Sequence, residues 1–510
     1  MRTLTIQPGP LTGDEVLAVA RHGAPVELGE AACAAIARAR SFVDRAAAGE
    51  LPVYGVSTGF GALARRHIPA GRRVELQRSL IRSHAAGSGP RVEDEVVRAL
   101  MVLRLSTLAT GHCGVRLETA QAYAALLNSG LIPVVGEYGS LGCSGDLAPL
   151  AHCALALIGE GEVVDDGVVR PAAAALADHG LTPVTLTEKE GLALINGTDG
   201  MLGMLLLALA DLRQLADTAD LAAAMSIEGQ LGTDRVFAAD LMALRPHPGQ
   251  ATSAGNLRRL LAGSAIVASH RHGDGEVQDA YSLRCAPQVH GSLRGALGYA
   301  AEVARFELAS AIDNPSVLAD GRVESHGNFH GAPLAHVLDF LAIGVADVAA
   351  MSERRTDRFL DVARSRGLPP FLAGDPGVDS GLMIAQYTQA GIVSELKRLA
   401  APASVDSIPS SAMQEDHVSM GWHAGRKLRR AVDGLRRVLA IEILAAARGI
   451  DLRAPLSPAP ATGAALRRLR AEVAGPGPDR YLAPEIEAAV TLVASGELLA
   501  AAGLNQEVSA

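Results

Sequence analysis

Residues 139–152 read Gly-Ser-Leu-Gly-Cys-Ser-Gly-Asp-Leu-Ala-Pro-Leu-Ala-His. At their centre stand Cys143, Ser144 and Gly145, flanked by Gly142 and Asp146. Such a tripeptide on a glycine-rich loop can do unusual backbone chemistry. Gly145 has no Cβ, so its amide nitrogen can approach the carbonyl carbon of Cys143 at an angle other residues avoid. Attack and loss of water would close a five-membered ring. Loss of the Ser144 hydroxyl as a second water would leave an exocyclic methylidene conjugated to an imidazolone carbonyl, an electrophile that no ordinary side chain supplies. On three residues alone, a glycine turn before a helix is the commoner reading. Asp146 suits an N-cap and Pro149 suits a first helical turn, so a helix is expected to start beside the loop. Its N–H groups would stabilise negative charge there.

Outward from this stretch, further motifs stand in order along the chain. They are Tyr54-Gly-Val-Ser-Thr-Gly-Phe-Gly61, Asn196-Gly197-Thr198, and Gln278-Asp-Ala-Tyr-Ser-Leu-Arg-Cys285. Asp313-Asn314-Pro315, Gly327-Asn328-Phe329-His330 and Gln414-Glu415-Asp416-His417 follow. Together with the 139–152 loop, the set closely resembles the ammonia-lyases that carry a methylidene-imidazolone prosthetic group. That family includes histidine-, phenylalanine- and tyrosine-specific members.

Composition narrows the remaining possibilities. The chain has 510 residues, with 46 basic and 55 acidic side chains spread without blocks, for a net charge of −9. No basic stripe suggests nucleic acid and no polybasic segment suggests an anionic membrane. The five cysteines, at 33, 113, 143, 153 and 285, contain no CxxC pair. A zinc ribbon or disulfide framework is not expected, and free thiols fit a reducing cytosol. The N-terminus lacks an apolar signal core. The greasiest run read from the sequence, 201–210, meets Asp211 too soon to span a bilayer. A soluble cytoplasmic protein is expected.

Aromatic residues make up only 3% of the chain, and alanine and leucine dominate. Helical spacing places Leu338, Leu341, Ala342 and Val345 on one face, and Val432, Leu435 and Leu439 on another. Alternating strands are scarce, so a mostly α fold is expected. The resemblance implies a long central helical bundle with an N-terminal helical and loop domain carrying the prosthetic-group loop, assembled as a homotetramer. A boundary is placed near residue 200: 1–200 as the N-terminal domain with the loop, 201–510 as the long-helix bundle and C-terminal region. Gly475-Pro-Gly-Pro478 reads as a turn.

The resemblance also implies a reaction and a set of site residues. Eliminating ammonia from an α-amino acid requires removal of a weakly acidic β-proton and departure of an amine. A 4-methylidene-imidazol-5-one formed autocatalytically from Cys143, Ser144 and Gly145 would take the amino nitrogen covalently, with no external cofactor. Tyr54 matches the family's base. A phenol is mostly protonated at neutral pH, so a positive field would be needed to lower its pKa. Ser57 replaces an asparagine common in that loop and is expected to support the backbone.

Arg284 is expected to bind the substrate carboxylate bidentately. Asn196 and Tyr281 would add hydrogen bonds, and Gln278 a neighbouring polar contact. Tyr281 is also a candidate for proton transfer. Ala280 replaces the more usual proline. Ser83-His84 resembles the histidine-specific members, with His84 and Glu415 able to hydrogen-bond an imidazole. Glu415 is also placed near the substrate amine. Phe329 matches an aromatic position near the prosthetic group, while Met383 reads as core. The Cys143 side chain departs from the usual alanine and reads as a spectator, because ring closure uses its carbonyl. His270, His272 and Asp274 form too weak a cluster to expect a metal.

The implied activity is non-oxidative elimination of ammonia from L-histidine to give urocanate, the first step of histidine degradation. A tyrosine- or phenylalanine-specific lyase, a 2,3-aminomutase using the same electrophile, and a silent helical scaffold are the alternatives.

Overall fold

The computed structural model describes residues 2–49, 52–272 and 277–504; Asp274, weighed above as a metal ligand, lies outside them. Twenty α-helices and nine strands of two to four residues make up the regular structure of the described residues. The expectation of a mostly α protein holds. The longest helices are Asp199–Gly229, Ala286–Leu308, Ala332–Leu360 and Gly421–Asp451. Their apolar faces are those read from the spacing: Leu338, Leu341, Ala342 and Val345 are buried, as are Val432, Leu435 and Leu439. Alanine fills much of the core, so the interior is built by close helix packing rather than by aromatic bulk.

The chain divides into two compact units. One comprises Met1–Leu207, Ala300–Asp339 and Pro402–Arg426, and the other Ala208–Tyr299, Phe340–Ala401 and Lys427–Ala510. Each has its own buried polar network. In the first, Arg104 is fully buried, paired with Asp199 and bonded to the Ala193 carbonyl at 3.1 Å. Lys189 and Asp313 form a second buried pair at 2.5 Å. In the second, Asp220 receives His290 Nδ1 and an Arg294 nitrogen, both at 2.7 Å. Arg355 grips Glu442 there through two nitrogens. Pairing of this kind is what makes buried charge tolerable.

The small sheets serve as connectors. Strand Ser88–Arg91 pairs antiparallel with Gly136–Tyr138, which delivers the chain into the 139–146 loop. The Ala332–Leu360 helix is long and apolar enough to cross a membrane by length and composition, with a mean hydropathy of 1.8 over its apolar window, of which 56% is buried. The 201–210 run, read from the sequence as the greasiest, lies within the Asp199–Gly229 helix, and its first nine residues are buried.

Candidate active site

The 139–146 loop lies between the Gly136–Tyr138 strand and the Leu147–Leu157 helix. Three long-range contacts hold its backbone. Gly142 O accepts from Gly331 N at 3.0 Å and from Ser419 Oγ at 2.7 Å, and Leu141 O accepts from Met420 N at 2.9 Å. Gly145 has φ +73° and bridges in parallel to Gly197. A Cβ on Gly145 would sit 2.0 Å from the Gly197 carbonyl oxygen. Only glycine fits this conformation and this approach. Gly197 has equally little room, since a Cβ there would meet Arg104 Nη2 at 1.7 Å. The Arg104–Asp199 pair thus backs Gly197, and Gly197 backs Gly145. The cradle fits the ring-forming triad, because a side chain on its third residue would be excluded.

The helix expected after Asp146 is present, but the role given to that side chain differs. Asp146 occupies the N-cap position of Leu147–Leu157 without capping it. Its carboxylate turns instead to the start of Asp199–Gly229, accepting from Gly200 N and Met201 N at 2.9 Å each, and from Ser140 Oγ at 2.9 Å. Its own backbone N–H donates to Gly197 O at 2.7 Å. Burial pushes the carboxyl up to about 7, against the three donors that hold it down. Asp146 therefore fastens the reactive loop to the adjoining helix start, satisfying two of that helix's orphan N–H groups.

A cavity of about 1350 Å³ opens over the triad, and every lining residue belongs to the first unit. Tyr54, Ser83, His84, Cys143, Ser144, Asn196, Phe329 and Glu415 all face it. Tyr54 Oη accepts from Gly61 N at 3.1 Å. Burial pushes the phenol above its ordinary value, and the nearby Glu415 adds to the rise. Burial and Glu415 thus oppose a phenolate here, while the Gly61 N–H favours it. Ser57 is buried and its Oγ accepts from Val53 N at 2.9 Å, closing the turn that carries Tyr54. This is the backbone support expected of it.

Asn196 meets the triad directly. Its Nδ2 donates to the Ser144 carbonyl oxygen at 2.9 Å, and its Oδ1 accepts from Asn314 N at 2.9 Å, which fixes the amide's orientation. His84 ends the Arg73–His84 helix. Its Nδ1 lies 2.9 Å from Leu80 O. A carbonyl can only accept, so Nδ1 carries the proton and Nε2 is left as an acceptor. Burial lowers the imidazole's pKa and favours this neutral form.

Glu415 pairs through its backbone with Ser410 and accepts from Cys143 Sγ at 3.1 Å, Ser410 Oγ at 3.2 Å and Ser144 Oγ at 3.4 Å. Phe329 is half-buried and stacks on His326 with ring centroids 6.4 Å apart. Sequence reasoning gave no part to Ser410, Ser419 or Arg104. Nothing local marks them, because each acts on a partner far along the chain. Asn314 was quoted only as part of a motif.

Gln278, Tyr281 and Arg284 belong to the second unit and do not line this cavity. Gln278 is exposed and Tyr281 is 70% exposed, with the Arg284 guanidinium 4.6 Å above the Tyr281 ring. Ala280 has φ −59°, the proline value, so the loop keeps the conformation its usual residue would impose. Met383 opens the Met383–Leu399 helix, partly buried, and lines no part of the cavity.

The aromatic amino acid lyase family profile matches residues 11–471. A histidine ammonia-lyase of Streptomyces griseus is 65% identical over 505 residues, covering 98% of each chain. Among solved structures, a tyrosine aminomutase from Streptomyces globisporus superposes with a TM-score of 0.93 at 37% identity, covering 99% of each chain. A histidine ammonia-lyase from Trypanosoma cruzi superposes with a TM-score of 0.91 at 39% identity, covering 99% of this chain and 96% of its own. These likenesses extend over nearly the whole sequence and include the reactive loop, and so the chain belongs to the aromatic amino acid lyase family and is a carbon–nitrogen lyase.

Proposed function

We propose that the chain eliminates ammonia from L-histidine, giving urocanate as the first step of histidine degradation, in a soluble cytoplasmic homotetramer. The observation that carries the substrate is the meeting of His84 and Glu415 in the cavity that holds Ser144. Neutral His84 offers Nε2 as an acceptor and Glu415 offers carboxylate oxygens, so an imidazole N–H finds a partner that a phenyl ring cannot use. A site with buried polar partners rejects a ligand lacking the matching groups by about 10⁴–10⁵ in kcat/KM.

Cys143, Ser144 and Gly145 would form the methylidene-imidazolone, held by Gly197 and Asp146; once formed, that group supplies an electrophile for the substrate's amino nitrogen. Asn196 Nδ2 then lies on the oxygen where negative charge collects, since the Ser144 carbonyl is the ring's carbonyl. Tyr54 takes the β-proton. Its raised pKa calls for a cation near its hydroxyl during the reaction, and Arg284 from a neighbouring subunit is our candidate. Arg284 and Gln278 would hold the substrate carboxylate, with Tyr281 beside them. Residues 1–200 would carry the reactive loop and residues 201–510 the bundle of assembly.

Apolar exposure supports an oligomer. Tyr299 and Phe306 on Ala286–Leu308, and Phe340 and Ile343 on Ala332–Leu360, are each about half exposed. Large apolar side chains left exposed on long helices are groups that a further chain would cover.

The test is incubation of the purified enzyme with L-histidine, L-tyrosine and L-phenylalanine, following the unsaturated product by ultraviolet absorbance and identifying it by mass. We expect urocanate from L-histidine at the highest rate. Faster turnover of either other amino acid overturns the substrate, and a β-amino acid product replaces the lyase with an aminomutase. Intact mass should fall two waters short of the encoded chain.

A further inference from the structure

The two oxygens of Glu415 keep different company. Oε2 accepts from Cys143 Sγ at 3.1 Å and from Ser410 Oγ at 3.2 Å. Oε1 accepts from Ser144 Oγ at 3.4 Å. On the reading that the triad matures, the Ser144 hydroxyl leaves with a proton as water. The Oε1 contact is then lost, while both donors on Oε2 remain. The carboxylate is therefore pinned at one oxygen and released at the other by maturation itself.

We propose that the Cys143 side chain is a positioning residue for substrate selection: its S–H holds Oε2 of Glu415, so that Oε1 faces the substrate's imidazole N–H. Cys143 is buried, and a thiolate beside this carboxylate would be repelled, so the side chain is a donor throughout the neutral range. Burial and Glu415 together push the thiol up to about 12. Ring closure uses only the backbone of residue 143, so an alanine there would leave that step intact while removing a donor. The cysteine, first read as a spectator, thus has a task separate from the ring. This inference rests on L-histidine being the substrate.

The experiment uses the full-length Ser144→Ala chain, which lacks the departing hydroxyl and does not turn over ligand. L-histidine binding is measured by titration calorimetry with Cys, Ser or Ala at position 143. A single hydrogen bond to a charged acceptor, weakened by the poor S–H donor, sets the scale at about 3–10-fold. Cys143→Ala should weaken L-histidine by that factor and leave L-phenylalanine binding unchanged. Cys143→Ser should stay within about twofold of cysteine, because a hydroxyl donates to the same oxygen. In a Glu415→Gln background, Cys143→Ala should add no further loss. Equal L-histidine affinity for all three side chains overturns the proposal, and so does an equal loss for both amino acids. If the Ser144→Ala chain binds no L-histidine and the unmutated enzyme does not process it, the substrate reading fails and this proposal falls with it.

Discussion

Two of the motif-bearing loops in this chain are built in opposite ways. In the 139–146 loop, Gly142, Cys143, Gly145 and Asp146 are buried, and the loop's carbonyls and carboxylate are tied to residues 197–201, 331 and 419–420. In the 278–285 loop, Asp279 is anchored to Thr233 N at 2.7 Å and Leu283 is buried, but Gln278 and Tyr281 stand out in solvent. Among the described residues, Arg284 Nε is buried without a hydrogen-bond partner. On the proposed reading, the first loop would react on its own backbone, which calls for rigid neighbours from its own unit. The second offers polar groups outward, which the same proposal uses to complete a site on a neighbouring chain. The proposed role of Tyr54 as the base draws on the same contrast, since its pKa is raised within its own unit and the proposal takes the compensating cation from a neighbouring chain.

Tyr54→Phe should have the largest effect, lowering kcat by about 10²–10⁴, the scale of a general base. Folding and the two-water mass loss should persist. Near-normal turnover would transfer the base to Tyr281 or Glu415, and the comparison would lose its argument from the phenol.

Next comes Arg284→Ala, which should lower kcat/KM for L-histidine by about 10²-fold, the scale of losing a charge-assisted carboxylate contact. Its stability should hardly change, since little in its own chain depends on it. Tyr54→Phe and Arg284→Ala chains, each impaired alone, should recover part of the activity when dissociated together and reassembled. No recovery would place both side chains in one chain's site and break the contrast between the loops.

Asp146 sharpens the comparison through pH. An ordinary aspartate titrates near 3.9, and burial brings Asp146 to about 7 in the folded chain. Between those values the folded state keeps a proton that the unfolded state has released. The contribution to stability is therefore full below about pH 4, is lost as pH rises through about 7, and is level above that. Asp146→Asn should flatten this decline, read as urea midpoints for both chains at pH 5 and pH 8. An identical slope in both would show that the carboxyl is ionised throughout.

The smallest effect is expected at Ala280→Pro. The backbone already has the proline φ, so the substitution should stabilise by about 0.4–1 kcal/mol through the unfolded chain. A drop in thermal stability would show that the outer loop is held by an N–H that proline lacks.

Much of the site was legible because its chemistry is local. The proposed ring closure needs only three consecutive residues, Cys143-Ser144-Gly145. The mostly helical class followed from the 3.6-residue spacing at Leu338–Val345 and Val432–Leu439, which the buried faces bear out. His84 and Glu415 were named as a pair from their motifs, and they do line one cavity. The partners were not legible. Asp146 looked like the cap of its own helix and instead caps one beginning more than fifty residues later. Asn196 was read as a substrate contact, and no motif named the Ser144 carbonyl that its amide meets.

The sequence alone therefore determined the family and the helical class, because these depend on short ordered motifs and on a repeating spacing. Tertiary structure decided who donates to whom. It set Gly197 against Gly145, gave Glu415 one oxygen held by Cys143 and one by Ser144, and raised the Tyr54 pKa through burial and the nearness of Glu415. Hydrogen-bond partners and local fields arise where distant segments pack, and no period or short motif records which distant segments meet.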